Sequence, residues 1–171
     1  IWQSVWVEAV SDIYLHKVKY RPDIDANQIE IRSFIGRWQA GKEIHLKTSI
    51  TFAGEEVLED IVQVKAAEET RTFKLHDFND HGMGRWWSPE RPNLYDVTFT
   101  LLVDGQEVDQ VQSYFGMRKI SVEDGVVCLN NRPYQMKMVL DQGYFPEGLL
   151  TAPDDEALRK DVELTKAMGF N

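Results

Sequence analysis

The residue types most able to do chemistry fall into a few short stretches. His76, Asp77, Asp80 and His81 put two imidazoles and two carboxylates within six residues. That is ligand chemistry for a divalent metal, but the spacing fits no helix face and runs into Gly82-Met83-Gly84, so no metal site is expected. Glu55-Glu56, Glu59-Asp60 and Glu68-Glu69 are paired carboxylates. Glycoside hydrolysis needs such pairs to face each other across a sugar, about 5 to 9 Å apart on rigid elements, and these instead flank turns and read as solvated charge. Trp86-Trp87 lies beside Pro89 and Pro92. The indoles could stack on a sugar, yet two prolines favour a stiff strand entry that pins Trp87 structurally. The stretch Asp141-Gln142-Gly143-Tyr144 mixes polar and aromatic groups. Asp141, Gln142 and Tyr144 suit sugar binding or an ordinary connecting loop equally well. His16 and His45 stand alone and read as surface or partly buried imidazoles.

Composition narrows the classes further. Across 171 residues there are 28 acidic and 19 basic side chains, a net charge of -9. Residues 1–50 hold 7 basic and 6 acidic groups, leaving 12 against 22 in the remainder, so no basic patch is expected and a nucleic-acid partner is argued against. No run approaches the roughly 18 apolar residues of a spanning helix, so no membrane partner is expected either. One cysteine cannot make an internal disulfide; Cys128, in an apolar run, reads as a buried thiol. Nothing points to a cofactor. The chain starts at Ile1 without a methionine and stops behind an amphipathic segment, which reads as a piece of a longer protein.

These groups must be positioned by elements of period two, which predominate to about residue 140. Strands are predicted at 12–20, 28–36, 43–52, 57–64, 71–75, 94–103 and 107–114, with Ala53-Gly54 and Asp104-Gly105 as turns. Residues 1–8 read as the last strand of a preceding domain. Six or seven strands in about 105 residues suggest an immunoglobulin-like sandwich. Residues 120–123, 126–129 and 134–140 then predict a short meander, followed by a loop and one helix over 153–168. Pro153 suits its first position, Asp154, Asp155 and Glu156 its positive end, and Gly169 its stop. On a helical wheel Ala157, Leu158, Val162, Leu164 and Met168 fall within about 160°. Asp161 sits inside that arc and is therefore predicted to be partly buried, with a structural hydrogen-bond donor. An apolar face of this kind must pack, fray or self-associate through 153–168.

Four ordered motifs carry a resemblance. Ile1-Trp2-Gln3-Ser4-Val5-Trp6-Val7-Glu8, Trp87-Ser88-Pro89-Glu90-Arg91-Pro92-Asn93-Leu94-Tyr95, Tyr114-Phe115-Gly116-Met117-Arg118-Lys119-Ile120 and Leu129-Asn130-Asn131-Arg132-Pro133-Tyr134 resemble glycoside hydrolase family 2, which includes β-galactosidases, β-glucuronidases and β-mannosidases. The resemblance implies a mainly β fold: residues 1–10 end a jelly-roll sugar-binding domain, 11–119 form an immunoglobulin-like antiparallel β-sandwich, and 120–171 open an incomplete β/α (TIM-barrel) unit. It implies a carbohydrate partner through a parent that is a retaining glycosidase of β-linked glycosides, whose two catalytic glutamates lie outside these 171 residues. The fragment alone is then a non-catalytic scaffold. An accessory carbohydrate-binding module using Trp86, Trp87 and Tyr144, or a plain spacer domain, is the alternative. Many family members carry Arg-Gly-Val-Asn-Arg-His-Glu after the first barrel strand, where this chain has Lys137-Met138-Val139-Leu140-Asp141-Gln142-Gly143, so no sugar preference carries over.

Overall fold

The computed structural model describes residues 5–75 and 84–171. Two compact units arise, one from 9–133 and one from 1–8 with 134–171.

Alternating apolar residues build seven antiparallel strands in the first unit. They are β1 (Tyr14–Asp23), β2 (Gln28–Gly36), β3 (Ile44–Phe52), β4 (Glu55–Gln63), β5 (Glu68–Lys74), β6 (Tyr95–Val103) and β7 (Gln106–Phe115). One sheet runs β1-β2-β5 and the other β4-β3-β6-β7, an immunoglobulin-type division in which the fourth strand has joined the second sheet. Ile29, Ile31 and Ile35 of β2 and Ile44, Leu46 and Ile50 of β3 bury their side chains at every second position. Tyr95 and Phe115 stack at 5.0 Å between ring centres, with Phe52 and Tyr20 extending the aromatic run at 5.1 and 5.5 Å. Asp104 and Gly105 both take positive φ, as the tight β6–β7 hairpin requires. The Asp104 carboxylate also receives Lys42 Nζ at 2.7 Å and the Glu43 amide at 3.2 Å, and these donors hold it below the usual carboxylate range.

Two inward-pointing aspartates close the open edges between the sheets. Asp60 of β4 pairs in a fork with Arg71 of β5, at 3.0 and 2.8 Å. At the opposite edge Asp109 of β7 accepts the Leu15 amide of β1 at 2.8 Å, beside a Ser11 hydroxyl bonded to the Val108 carbonyl. An inward charge also deters edge-to-edge pairing with other chains.

The meander is β8 (Ile120–Glu123), β9 (Val126–Leu129) and β10 (Arg132–Pro133), joined in the order β10-β9-β8. Its Cys128 is buried, as its apolar run suggests. It lies in the same compact unit as the sandwich.

Four details differ from the sequence reading. β1 continues through Pro22 to Asp23, which an edge strand permits because one of its sides needs no ladder hydrogen bond. Residues 134–140 form no strand, and 5–8 form none either; residues 1–4 lie outside the described part. The helix α1 (Asp155–Ala167) begins after Asp154, which caps it by accepting the Ala157 amide at 2.8 Å, so Pro153 precedes the cap rather than opening the helix. Finally, a basic face exists where none was expected: strand pairing brings Lys17, Lys19, Arg21, Arg32 and Lys74 together on the outer side of β1-β2-β5, with Asp23, Glu30 and Glu68 as the carboxylates that the three strands place on it among the described residues. Charge averaged along the chain hides a face assembled from three separate strands.

In the second unit, Asn171 ties the chain end to the 134–140 segment. Its side chain accepts the Lys137 amide at 2.6 Å and donates to the Gln135 carbonyl at 3.0 Å, while its own amide donates to the Lys137 carbonyl at 3.0 Å. No residue of α1 is buried. Asp161 is accordingly exposed, which corrects the expectation of a partly buried carboxylate with a donor. The apolar arc around it is uncovered, so the carboxylate keeps its water.

Candidate functional site

The stretch from Trp86 to Tyr95 is built by short-range hydrogen bonds. Ser88 and Arg91 exchange amide-to-carbonyl bonds at 2.9 and 3.1 Å, and the Arg91 amide also meets the Ser88 hydroxyl. The turn between the two prolines turns Trp86 and Trp87 in different ways. Trp86 packs against the sandwich core, with its carbonyl held by Asn93 Nδ2 at 3.4 Å. Its indole N–H is buried without a partner among the described residues. Trp87 is pinned through its backbone: its amide donates to the Met117 carbonyl at 2.9 Å, and its carbonyl accepts from Asn130 Nδ2 at 3.0 Å. The Arg118 guanidinium lies 4.8 Å from its ring centre, a cation-π placement. A Cβ added at Gly116 would stand 3.2 Å from Trp87 Cβ, so glycine lets that strand end lie against the indole.

Asn130 and Asn131 form a junction that the sequence showed only as a turn. Both adopt positive φ, 52° and 63°, a region asparagine tolerates better than most residues. Asn130 bonds Lys119 twice, its Oδ1 accepting the Lys119 amide at 3.0 Å and its amide donating to the Lys119 carbonyl at 2.8 Å. Asn131 Nδ2 donates to Asp25 Oδ1 at 2.6 Å, and Lys119 Nζ reaches Asp25 Oδ2 at 2.7 Å. The Lys119 and Asn131 bonds hold the Asp25 carboxyl below its ordinary value, and Asp25 in turn raises the Lys119 ammonium. Four segments distant in sequence thus meet at two asparagines. The only sequence signal was an Asn-Asn pair, which is common in turns that do nothing else.

The loop from Asp141 onward closes on itself. Asp141 Oδ1 accepts the Gly143 amide at 2.7 Å, and Phe145 and Leu149 exchange bonds at 2.8 and 2.9 Å. Gln142 is exposed, and Tyr144 is 67% exposed. Asp141 therefore spends one oxygen on its own turn.

The paired carboxylates separate. Glu59 binds Lys47 at 2.8 Å, Asp60 binds Arg71, and Glu68 binds Arg32 at 3.3 Å. The Asp60 hydrogen bonds raise the Arg71 guanidinium further above its ordinary value. Among the described residues no three His, Cys, Asp or Glu side chains form a group able to hold a metal. His76, Asp77, Asp80 and His81 lie outside the described residues. His16 is exposed at a bulge in β1, and His45 is partly buried in β3.

Comparison with known proteins bears on the whole arrangement. The profile of the family described as "Glycosyl hydrolases family 2" matches residues 13–118. A β-galactosidase of Oenococcus oeni is 25% identical over 179 aligned positions, covering 100% of this chain and 17% of that protein. A β-galactosidase of Vibrio cholerae is 32% identical over 101 positions, covering 56% of this chain and 10% of its own length. A solved structure of β-glucuronidase 2 from Bacteroides uniformis, covalently bound to cyclophellitol-6-carboxylate aziridine, superposes with a TM-score of 0.70 at 23% identity, covering 95% of this chain and 21% of the other. The chain thus spans about a fifth of the proteins it matches along its whole length. The matched span runs from one residue before β1 to three residues past β7, so the profile covers both sheets of the sandwich and more than half of the sequence: the chain belongs to glycosyl hydrolases family 2.

Proposed function

We propose that this chain is the non-catalytic central sandwich of a retaining glycosidase acting on β-linked glycosides, a scaffold between a sugar-binding domain and a catalytic barrel. The observation that carries this reading is the use made of the two carboxylates turned into the sandwich. Asp60 is forked to Arg71 and Asp109 takes the Leu15 amide; both close a sheet edge, and among the described residues neither faces a second carboxylate across a cleft as sugar hydrolysis requires. The covalent adduct of the Bacteroides uniformis β-glucuronidase supports a retaining course for the parent.

In this reading residues 1–10 belong to the preceding domain, and the meander travels with the sandwich. The Asn130 bonds to Trp87 and Lys119 support a boundary near 133 in place of 119. Asp141, Gln142 and Tyr144 then belong to the first connection of the barrel, on the side where such barrels place their active sites. The second reading, a carbohydrate-binding module, is supported by the exposure of Tyr144. It draws nothing from Trp86, which packs on the core, or from the Trp87 face beneath Arg118.

Aryl β-galactoside and β-glucuronide hydrolysis, measured for the 171-residue chain and for the full-length parent, tests the proposal. Turnover by the parent alone is expected. Turnover by the 171-residue chain that disappears on mutating a residue within it would overturn the scaffold role.

A further inference from the structure

We infer that the outer face of the β1-β2-β5 sheet is a docking surface for an acidic, carboxylate-bearing oligosaccharide. Lys17, Lys19 and Arg21 alternate along β1, so their side chains share one face at intervals of about 6.8 Å. Pairing sets Lys17 opposite Phe34 and Lys19 opposite Arg32, and Lys74 of β5 lies across from Gln28. Lys17 Nζ and Lys19 Nζ stand 5.9 and 5.6 Å from the centre of the Phe34 ring. Arg32 is already engaged by Glu30 and Glu68. Among the described residues Lys17, Lys19, Arg21 and Lys74 have no ion-pair partner, and all four are exposed.

Charge complementarity selects the occupant. The face carries five cations and three carboxylates in a chain whose net charge is -9. The outer face of the other sheet carries Glu56, Glu59, Asp96 and Glu107 against Lys47 alone. A nucleic acid, with a charge every 1.7 Å or so, needs far denser neutralisation than four free cations spaced along strands. A polysaccharide carrying at most one carboxylate per sugar matches that spacing better. The Phe34 ring lies beneath the Lys17 and Lys19 ammoniums and holds the two cations together at the middle of the face. The inference rests on the glycosidase reading only for its choice of a sugar polymer.

Calorimetric titration of the 171-residue chain with oligogalacturonate at low salt tests it. Binding is expected that weakens as salt rises and is absent with the fully methyl-esterified oligosaccharide. The triple variant K17T/K19T/R21T should bind about tenfold more weakly, each exposed pair being worth a factor of about two. An unchanged urea midpoint shows that this variant folds, as threonine suits an edge strand. Phe34→Ala should weaken binding further. Absence of binding, equal binding of the esterified probe, or tighter binding of poly-glutamate or an oligonucleotide would overturn the inference. So would occupation of the face by the acidic face of a second copy, seen as self-association abolished in the triple variant. A hydrolytically active parent whose sandwich binds no oligogalacturonate defeats this inference alone, and binding with an inactive parent defeats the glycosidase reading alone.

Discussion

The sandwich and the segment from 134 to 171 are both rich in apolar residues, and they use them in opposite ways. In the sandwich, Ile29, Ile44, Ile50 and Tyr95 have no accessible surface. Across 134–171, Leu140 is 84% exposed, Leu158 is 51% and Met168 is 67%, and no residue of the helix is fully buried. Two strands with alternating apolar residues complete each other's core through neighbouring strands of the same chain. A single amphipathic helix supplies only one side of an interface. Periodicity therefore specifies which face of an element is apolar, while burial depends on a second surface being there to meet it.

The contrast breaks most easily at Tyr95. Tyr95→Ala removes a ring stacked on Phe115 and tilted against Phe52, and should cost about 3–5 kcal/mol in urea unfolding. Leu158→Ala should fall within about 0.5 kcal/mol, as for other exposed positions. Similar costs for the two would show that the helix face is buried in solution. Next in size is Asn130→Ala, which strands the Lys119 amide and the Trp87 carbonyl and forces positive φ on alanine, at a cost of about 2–3 kcal/mol. Asn130→Gly keeps the backbone conformation, so a smaller loss separates the hydrogen bonds from the strain. Asp60→Asn should cost about 1–2 kcal/mol by weakening the fork to Arg71, and faster hydrogen exchange in β4 and β5 checks that the loss is at that edge. Asp154→Ala should cost about 1 kcal/mol of helix stability, visible as reduced helical circular dichroism with the sandwich transition unmoved.

Acid sharpens the contrast within the sandwich itself. The folded pKa values of Asp25 and Asp104 lie below the ordinary 3.8. Their contribution is therefore present above pH 3.8 and fades as pH falls through the lower folded values. The protection of the Glu43 amide, whose N–H bonds Asp104, should fall there relative to its intrinsic exchange rate, while that of the Lys119 amide, held by the neutral Asn130 side chain, should respond less.

Much of the fold was legible because its signals are local. Asp104-Gly105 names its own hairpin, and the Ile-x-Ile spacing of β2 names its buried face. The candidate site was less legible, because its partners are remote in sequence. Nothing near Asn130 points to Trp87 or Lys119, and nothing near Asp60 singles out Arg71. Asp161 misled for a related reason: a wheel tells which residues share an arc, but an uncovered arc leaves a carboxylate solvated.

The sequence by itself determined the antiparallel strands, most of their turns and, through its ordered motifs, the family to which the chain belongs. Tertiary structure alone decided which strands became neighbours. From that followed the two aspartate-closed edges, the asparagine junction and the basic face on an acidic chain. Strand alternation fixes which side chains share a face within one strand; which faces combine is fixed only when non-local hydrogen bonds pair the strands, and charge and chemistry are read from the combined surface.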